Sequence, residues 1–125
     1  MPKKKATILI VEDDPMQVMM YKEQFLNQGY NVLTASNEKD ALIQTEKKPD
    51  LVFLDLLLGN FDGIEILQKI RDNAKTKDLR VIILTNFQKN GLKTKALKLG
   101  ALDYLVKSSL IPKELVEKAE QYLKK

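Results

Sequence analysis

Of the 17 acidic residues in this 125-residue chain, four stand where acids are unexpected. Glu12, Asp13 and Asp14 directly follow the apolar run Thr7–Val11, and Asp55 lies between the apolar stretches 51–54 and 56–58. A carboxylate inside an apolar run is costly to desolvate and needs a reason. Carboxylates drawn together repel, and a divalent cation is the natural way to hold them. The chain has no histidine and no cysteine, so any metal must be held by oxygen, which favours magnesium over zinc. Two more polar residues end apolar runs, Thr85 after 81–84 and Lys107 after 104–106. Carboxylates for a cation, a hydroxyl and an ammonium are the groups that neutralise a phosphoryl group carried on a carboxylate. Each also has a plainer reading. An acid just before Pro15 serves as a helix N-cap, which suits Asp13 or Asp14; Thr85 would cap the next helix, and Lys107 would be a solvated strand end.

The elements that must position these groups are legible in the hydropathy pattern. Apolar runs at 7–11, 31–35, 51–54, 80–84 and 104–106 read as strands, and three of them are apolar throughout, as a parallel sheet covered on both faces requires. Helical segments lie between them. The first follows Pro15, with Val18, Tyr21 and Phe25 on one face and Gly29 at its stop; the second runs from an Asn37 cap through Ala41, Leu42 and Thr45 towards Pro49. Ile64, Leu67 and Ile70 mark the third, Leu92, Ala96, Leu97 and Leu99 before Gly100 the fourth, and Leu115, Val116, Ala119 and Leu123 after Pro112 the fifth. Strand and helix alternate five times with short connections, which predicts a three-layer α/β sandwich with right-handed crossovers. In such a sheet, functional groups gather outside the carboxyl ends of the strands, so the acids meet if the first and third strands are neighbours.

Composition narrows the classes. A chain that is 44% hydrophobic and 30% charged suits one ordinary globular domain, here residues 1–125, and excludes disorder. Disulfides, cysteine nucleophiles and histidine triads are excluded by residue type. The apolar runs are far short of the roughly 20 residues that span a bilayer. Lys3, Lys4 and Lys5 precede too short an apolar stretch for a signal peptide, so a cytoplasmic location is expected. The net charge of +4 comes from lysines spread over many segments without interleaved aromatics, so direct nucleic-acid binding is not expected.

The order and spacing of four motifs carry a resemblance. Ile8-Leu9-Ile10-Val11-Glu12-Asp13-Asp14-Pro15, Pro49-Asp50-Leu51-Val52-Phe53-Leu54-Asp55 with Asp62-Gly63 behind it, Ile83-Leu84-Thr85, and the stretch from Gly100 to Lys107 together resemble the CheY-like receiver domain of two-component response regulators. The resemblance runs from about Lys5 to Leu123. It implies a flavodoxin-like, doubly wound parallel sheet of strand order 2-1-3-4-5 with five helices. It further implies a domain that takes a phosphoryl group from a histidine kinase or phosphotransfer protein onto Asp55 and is no enzyme beyond its own phosphorylation and dephosphorylation. By the same resemblance Mg²⁺ is bound by Asp13 and Asp55, by Glu12 mostly through water, and by the Leu57 backbone carbonyl. Thr85 and Lys107 would contact the phosphoryl group, with Thr85 and Tyr104 as the switch. Output would pass through the surface of the fifth strand and its flanking helices to a partner the sequence does not name, and a homodimer through the fourth helix, fifth strand and fifth helix is a further option. The sequence ends just after the fifth helix, with no effector domain expected.

Three positions depart from the pattern. Gly59 replaces a frequent proline, Asn86 stands where a small residue usually follows the threonine and narrows access to Asp55, and Ser108 replaces the proline whose preceding bond is normally cis. A non-proline cis bond costs about 2.5 to 4 kcal/mol, so either that bond is trans or the site carries strain. Leu57 and Phe87 occupy the two positions that tune hydrolysis in the family; neither can orient water, which predicts a long-lived phosphoryl group. At 100° per residue, Met16 and Met20 point away from Val18, Tyr21 and Phe25, and they are candidates for docking the phosphodonor. Lys89, Lys93, Lys95 and Lys98, with Lys113 and Lys118, make the output face basic, either as a solvated surface or for an acidic partner. The rival reading is a receiver-like interaction module without phosphoryl chemistry. An aspartate-nucleophile phosphatase would want an acid at Leu57, and a flavin domain would want a phosphate-cradling loop where three acids stand.

Overall fold

The computed structural model describes residues 6–59 and 61–124, so Lys3, Lys4 and Lys5 lie outside the described residues. In chain order its elements are β1 (Thr7–Val11), α1 (Pro15–Asn27), β2 (Asn31–Ala35), α2 (Glu38–Thr45), β3 (Leu51–Leu54), β4 (Leu57–Leu58), β5 (Phe61–Asp62), α3 (Gly63–Asp72), β6 (Val81–Thr85), α4 (Leu92–Lys98), β7 (Asp103–Val106) and α5 (Pro112–Leu123). A single 3₁₀ turn, Lys107–Ser109, follows β7. The strands β2-β1-β3-β6-β7 form one parallel sheet in that order. It is the expected winding, with β6 and β7 as the fourth and fifth strands of the sheet. The intervening pair β4 and β5 is an antiparallel hairpin that the hydropathy pattern did not announce, since strands of two residues carry no periodicity.

Successive side chains of a strand point to opposite faces, and here both faces are covered. Leu9, Val11, Val52, Leu54, Val81 and Ile83 pack with Ala41, Ile64, Leu67, Ile70 and Ala96 of α2, α3 and α4. Ile8, Ile10, Leu51, Phe53, Ile82 and Leu84 pack with Tyr21, Phe25, Leu115, Val116 and Ala119 of α1 and α5. That double burial is why β1, β3 and β6 carry unbroken apolar runs at 8–11, 51–54 and 81–84.

The boundaries correct the sequence reading in places. The fourth sheet strand starts at Val81 rather than Arg80 and the fifth at Asp103 rather than Tyr104. Helix α2 stops at Thr45, well before Pro49, and Lys48 turns the chain with a φ of 56°. Leu97, grouped above with the apolar positions of the fourth helix, is exposed, because the seven-residue α4 buries only Ala96. Gly29 and Gly100 take left-handed φ values of 89° and 85°, as helix stops require.

Candidate functional site

In-register pairing sets the site. Val11 lies opposite Leu54, Leu54 opposite Ile83 and Thr85 opposite Val106, so the residues that follow β1, β3 and β7 emerge beside the last residue of β6 on one edge of the sheet. Glu12, Asp13, Asp14, Gln17, Asp55, Leu57, Thr85, Asn86, Phe87 and Lys107 line one cavity of about 330 Å³ there.

The two acids beside Pro15 divide their work. Asp14 is the N-cap of α1, its Oδ1 accepting from the Met16 N–H at 2.9 Å and the Gln17 N–H at 3.4 Å. Asp13 is left exposed at the cavity. Asp55 and Glu12 are 6% and 3% exposed, and Lys107 neutralises both. The Lys107 ammonium donates to Asp55 Oδ2 at 2.6 Å and also to Glu12 Oε1. Lys107 is therefore no solvated strand end; its side chain is 9% exposed. Burial pushes the Glu12 carboxyl above the usual carboxylate range despite its bonds from Lys107 and the Asp14 N–H. Burial pulls Lys107 down, but its bonds to Asp55 and Glu12 outweigh that pull and hold the ammonium above the usual lysine value. Asp55 Oδ1 accepts from the Leu57 N–H at 3.1 Å, and Gly63 lies so close behind that a Cβ there would meet the Asp55 carbonyl oxygen at 2.4 Å.

Thr85 is fully buried and does not cap α4, whose N-cap is Gly91. Its Oγ1 accepts from the Phe87 N–H at 3.1 Å, turning the hydroxyl onto its own loop. Tyr104 is half-buried and donates its hydroxyl to the Phe87 carbonyl; burial first, then the charge of Asp55, push that hydroxyl above its ordinary value. The structure thus links Tyr104 to the loop that follows Thr85. No peptide bond among the described residues is cis, so Lys107–Ser108 is trans. Gly59 has a φ of 54°, and a Cβ there would lie 3.5 Å from Asp13 Oδ2. Leu57 and Phe87, at the cavity mouth, are both exposed.

The donor set suits a hydrated magnesium ion. Mg²⁺ keeps several waters and takes one or two carboxylates, so the absence among the described residues of three acids converging as a metal cage does not argue against it. Gln17 adds an independent sign. Its Nε2 donates to Asp14 Oδ2 at 3.3 Å, which leaves Oε1 buried without a partner at the cavity, where a bound water can donate. The sequence reading did not single out Gln17, and nothing in the sequence marks it, because its role follows only from the α1 cap.

Met16 is 81% exposed and Met20 40%, and Met19, which the helical-wheel argument left out, is 68% exposed. Lys89, Lys93, Lys95 and Lys98 are exposed around α4, Lys113 is exposed at the start of α5, and Lys118 lies 4.0 Å from Asp103. No helix among the described residues is long and apolar enough to cross a membrane.

Known proteins share this sequence pattern and fold. The sequence pattern of the response regulator receiver domain matches residues 8–120. Sporulation initiation phosphotransferase F of Bacillus subtilis is 35% identical over 117 residues, covering 93% of this chain and 92% of its own. The phosphate regulon transcriptional regulatory protein PhoB of Pseudomonas aeruginosa is 33% identical over 95% of this chain, which spans only 52% of that regulator. Among solved structures, a CheY-like receiver domain protein of Methanospirillum hungatei superposes with a TM-score of 0.86 at 27% identity, covering 95% of this chain and 94% of its own. The Mn²⁺-bound form of response regulator Rcp1 superposes at 0.79 with 25% identity over 94% of each chain. With its fold, its acidic strand ends and these matches in agreement, the chain belongs to the response regulator receiver domain family of two-component signalling.

Proposed function

We propose that this domain is a phosphoacceptor switch in which the Asp55 carboxylate attacks the phosphorus of a phosphohistidine on a histidine kinase or phosphotransfer protein. The N–P bond breaks, the imidazole leaves, and an acyl phosphate forms on Asp55. The single observation that carries this reading is the Lys107 ammonium, bonded at once to Asp55 and Glu12 in a buried position, since it sets a cation where phosphoryl charge would develop. Asp13, Asp55 and the Leu57 carbonyl would hold Mg²⁺, with Glu12 acting through water. The ion, when bound, supplies charge that offsets the developing phosphoryl oxyanions.

Thr85 would turn from the Phe87 N–H to the phosphoryl oxygen, and Tyr104 would leave the Phe87 carbonyl and move into the space that Thr85 vacates. The change would then reach the exposed surface of β7, α4 and α5, where a partner reads it. Met16 and Met20, exposed on α1, are the docking contacts proposed for the phosphodonor. Leu57 and Phe87 would shield the acyl phosphate from water.

The test is intact mass after incubation with acetyl phosphate and Mg²⁺. A gain of roughly 80 Da that needs Mg²⁺ and disappears in Asp55→Ala is the expected result. A gain that survives in Asp55→Ala, or none at all, overturns the proposal. Followed in time after donor removal, the same label should decay faster in the Leu57→Asn, Phe87→Glu double variant.

A further inference from the structure

Two of the three residues that depart from the receiver pattern touch one another. The Ser108 N–H donates to Asn86 Oδ1 at 2.8 Å, joining the loop after β6 to the turn after β7. Proline at 108 has no N–H to give, and a small side chain at 86 has no reach to accept it. The two departures are halves of one contact.

That contact fixes the Asn86 amide. A backbone N–H only donates, so the atom that meets it is the side-chain oxygen, and Nδ2 with its two hydrogens is the end left over. Nδ2 has no hydrogen-bond acceptor among the described residues. Asn86 lines the same cavity as Asp55, Thr85 and Lys107. A phosphoryl group brings three strong acceptor oxygens into that cavity, and a preoriented donor there stabilises the charge that develops on them.

We propose that Asn86 is a third hydrogen-bond donor to the phosphoryl group on Asp55, beside Thr85 and Lys107, and that the Ser108 N–H is the positioning group that holds it in its donating orientation. This rests on Asp55 as the phosphoacceptor. It also reverses the sign of the simpler expectation that a side chain at 86 obstructs the site. An obstruction, once removed, speeds phosphorylation by a small donor; a lost hydrogen-bond donor slows it.

The experiment measures the rate of labelling by acetyl phosphate and Mg²⁺ from intact mass, with the thermal midpoint of each variant recorded alongside. Asn86→Ala should label about tenfold more slowly than the parent, a modest loss beside the larger ones seen for fully enclosed oxyanion donors. Ser108→Pro should fall several-fold below Ser108→Ala, because alanine keeps the backbone N–H and proline removes it. In the Asn86→Ala background, Ser108→Pro should cost nothing further, since the group it positions is already gone. Should Asn86→Ala unfold, Asn86→Asp serves in its place: it keeps the acceptor for Ser108 and has no N–H to give. Labelling of either Asn86 variant at or above the parental rate overturns the proposal, and so does equal labelling of Ser108→Pro and Ser108→Ala. A parent protein that takes no label at all overturns the Asp55 reading and this inference with it.

Discussion

The two halves of the sheet are held by different means. On one side, β1, β3 and α3 fix Asp55 by burial: α3 encloses Gly63, Ile64, Ile66, Leu67 and Ile70 and is capped by Asp62, whose Oδ1 accepts from the Ile64 N–H at 2.9 Å. On the other, α4 buries only Ala96 and starts at Gly91, with a φ of 83° and no side-chain cap bond. The loop between β6 and α4 is tied to its surroundings by single polar contacts: Phe87 N–H to Thr85, Tyr104 hydroxyl to Phe87 and Ser108 N–H to Asn86. Packed apolar surface cannot be redirected without opening a cavity, whereas a hydrogen bond can be exchanged for another at a net change of about 1 kcal/mol. Asp55 therefore stays in place, while Phe87, Tyr104 and Asn86 are held by bonds that are free to re-pair.

The largest expected effect sets one buried side chain against one exposed. Ile70→Ala, in the closed half, should cost about 4 kcal/mol, because Ile70 is fully buried among strand side chains that relax only in part. Leu97→Ala, on α4 and 43% exposed, should stay within about 0.5 kcal/mol. Denaturant midpoints measure both, and amide exchange should be faster along α4 than along α3. Equal costs would remove the distinction between the halves.

A pair of glycines sharpens it further. At Gly63 a Cβ would meet the Asp55 carbonyl oxygen and Leu56 Cα, both at 2.4 Å, and neither backbone atom can give way without moving Asp55. Gly63→Ala should cost about 3 kcal/mol and slow labelling of Asp55 as well. At Gly91 nothing lies within 4 Å of an added Cβ, so Gly91→Ala should cost only the left-handed backbone strain, about 1 kcal/mol. Thermal midpoints read both, with labelling by acetyl phosphate as the second readout.

The closed half is also the half that the sequence made legible. Strands covered on both faces must be apolar throughout, so the runs at 7–11, 51–54 and 81–84 stood out, and so did the polar residues at their ends. The division of labour between Asp13 and Asp14 was not legible, because both precede Pro15 and only the cap geometry separates them. The exchangeable half was less legible still. Leu97 looked like a core residue because seven helical residues are too few to define a face. Asn86 and Ser108 were visible as oddities, but a bond from a side chain to a main-chain N–H 22 residues away leaves no spacing signal.

The smallest effect tests whether α5 belongs to the exchangeable half. Its Tyr122 hydroxyl donates to Asp103 Oδ2 at 2.7 Å, tying the end of the helix to the start of β7. Burial, and then the bond to the negatively charged Asp103, push the Tyr122 hydroxyl up to about 12, above its ordinary 10. A raised value means that the fold favours the protonated hydroxyl, so this contribution is complete below pH 10 and drains away as the pH rises from 10 through about 12. Tyr122→Phe should cost about 1 kcal/mol at neutral pH, since Asp103 keeps solvent and the more distant Lys118 as company. Between pH 10 and 12 the parent should lose that advantage and the two stability curves should converge, because phenylalanine has no hydroxyl to ionise. Curves that stay parallel through that interval would mean that the Tyr122 hydroxyl does not hold α5 to β7, and the packing of Leu115, Val116 and Ala119, with the Arg80 guanidinium on the Tyr122 carbonyl, would then hold the helix without it.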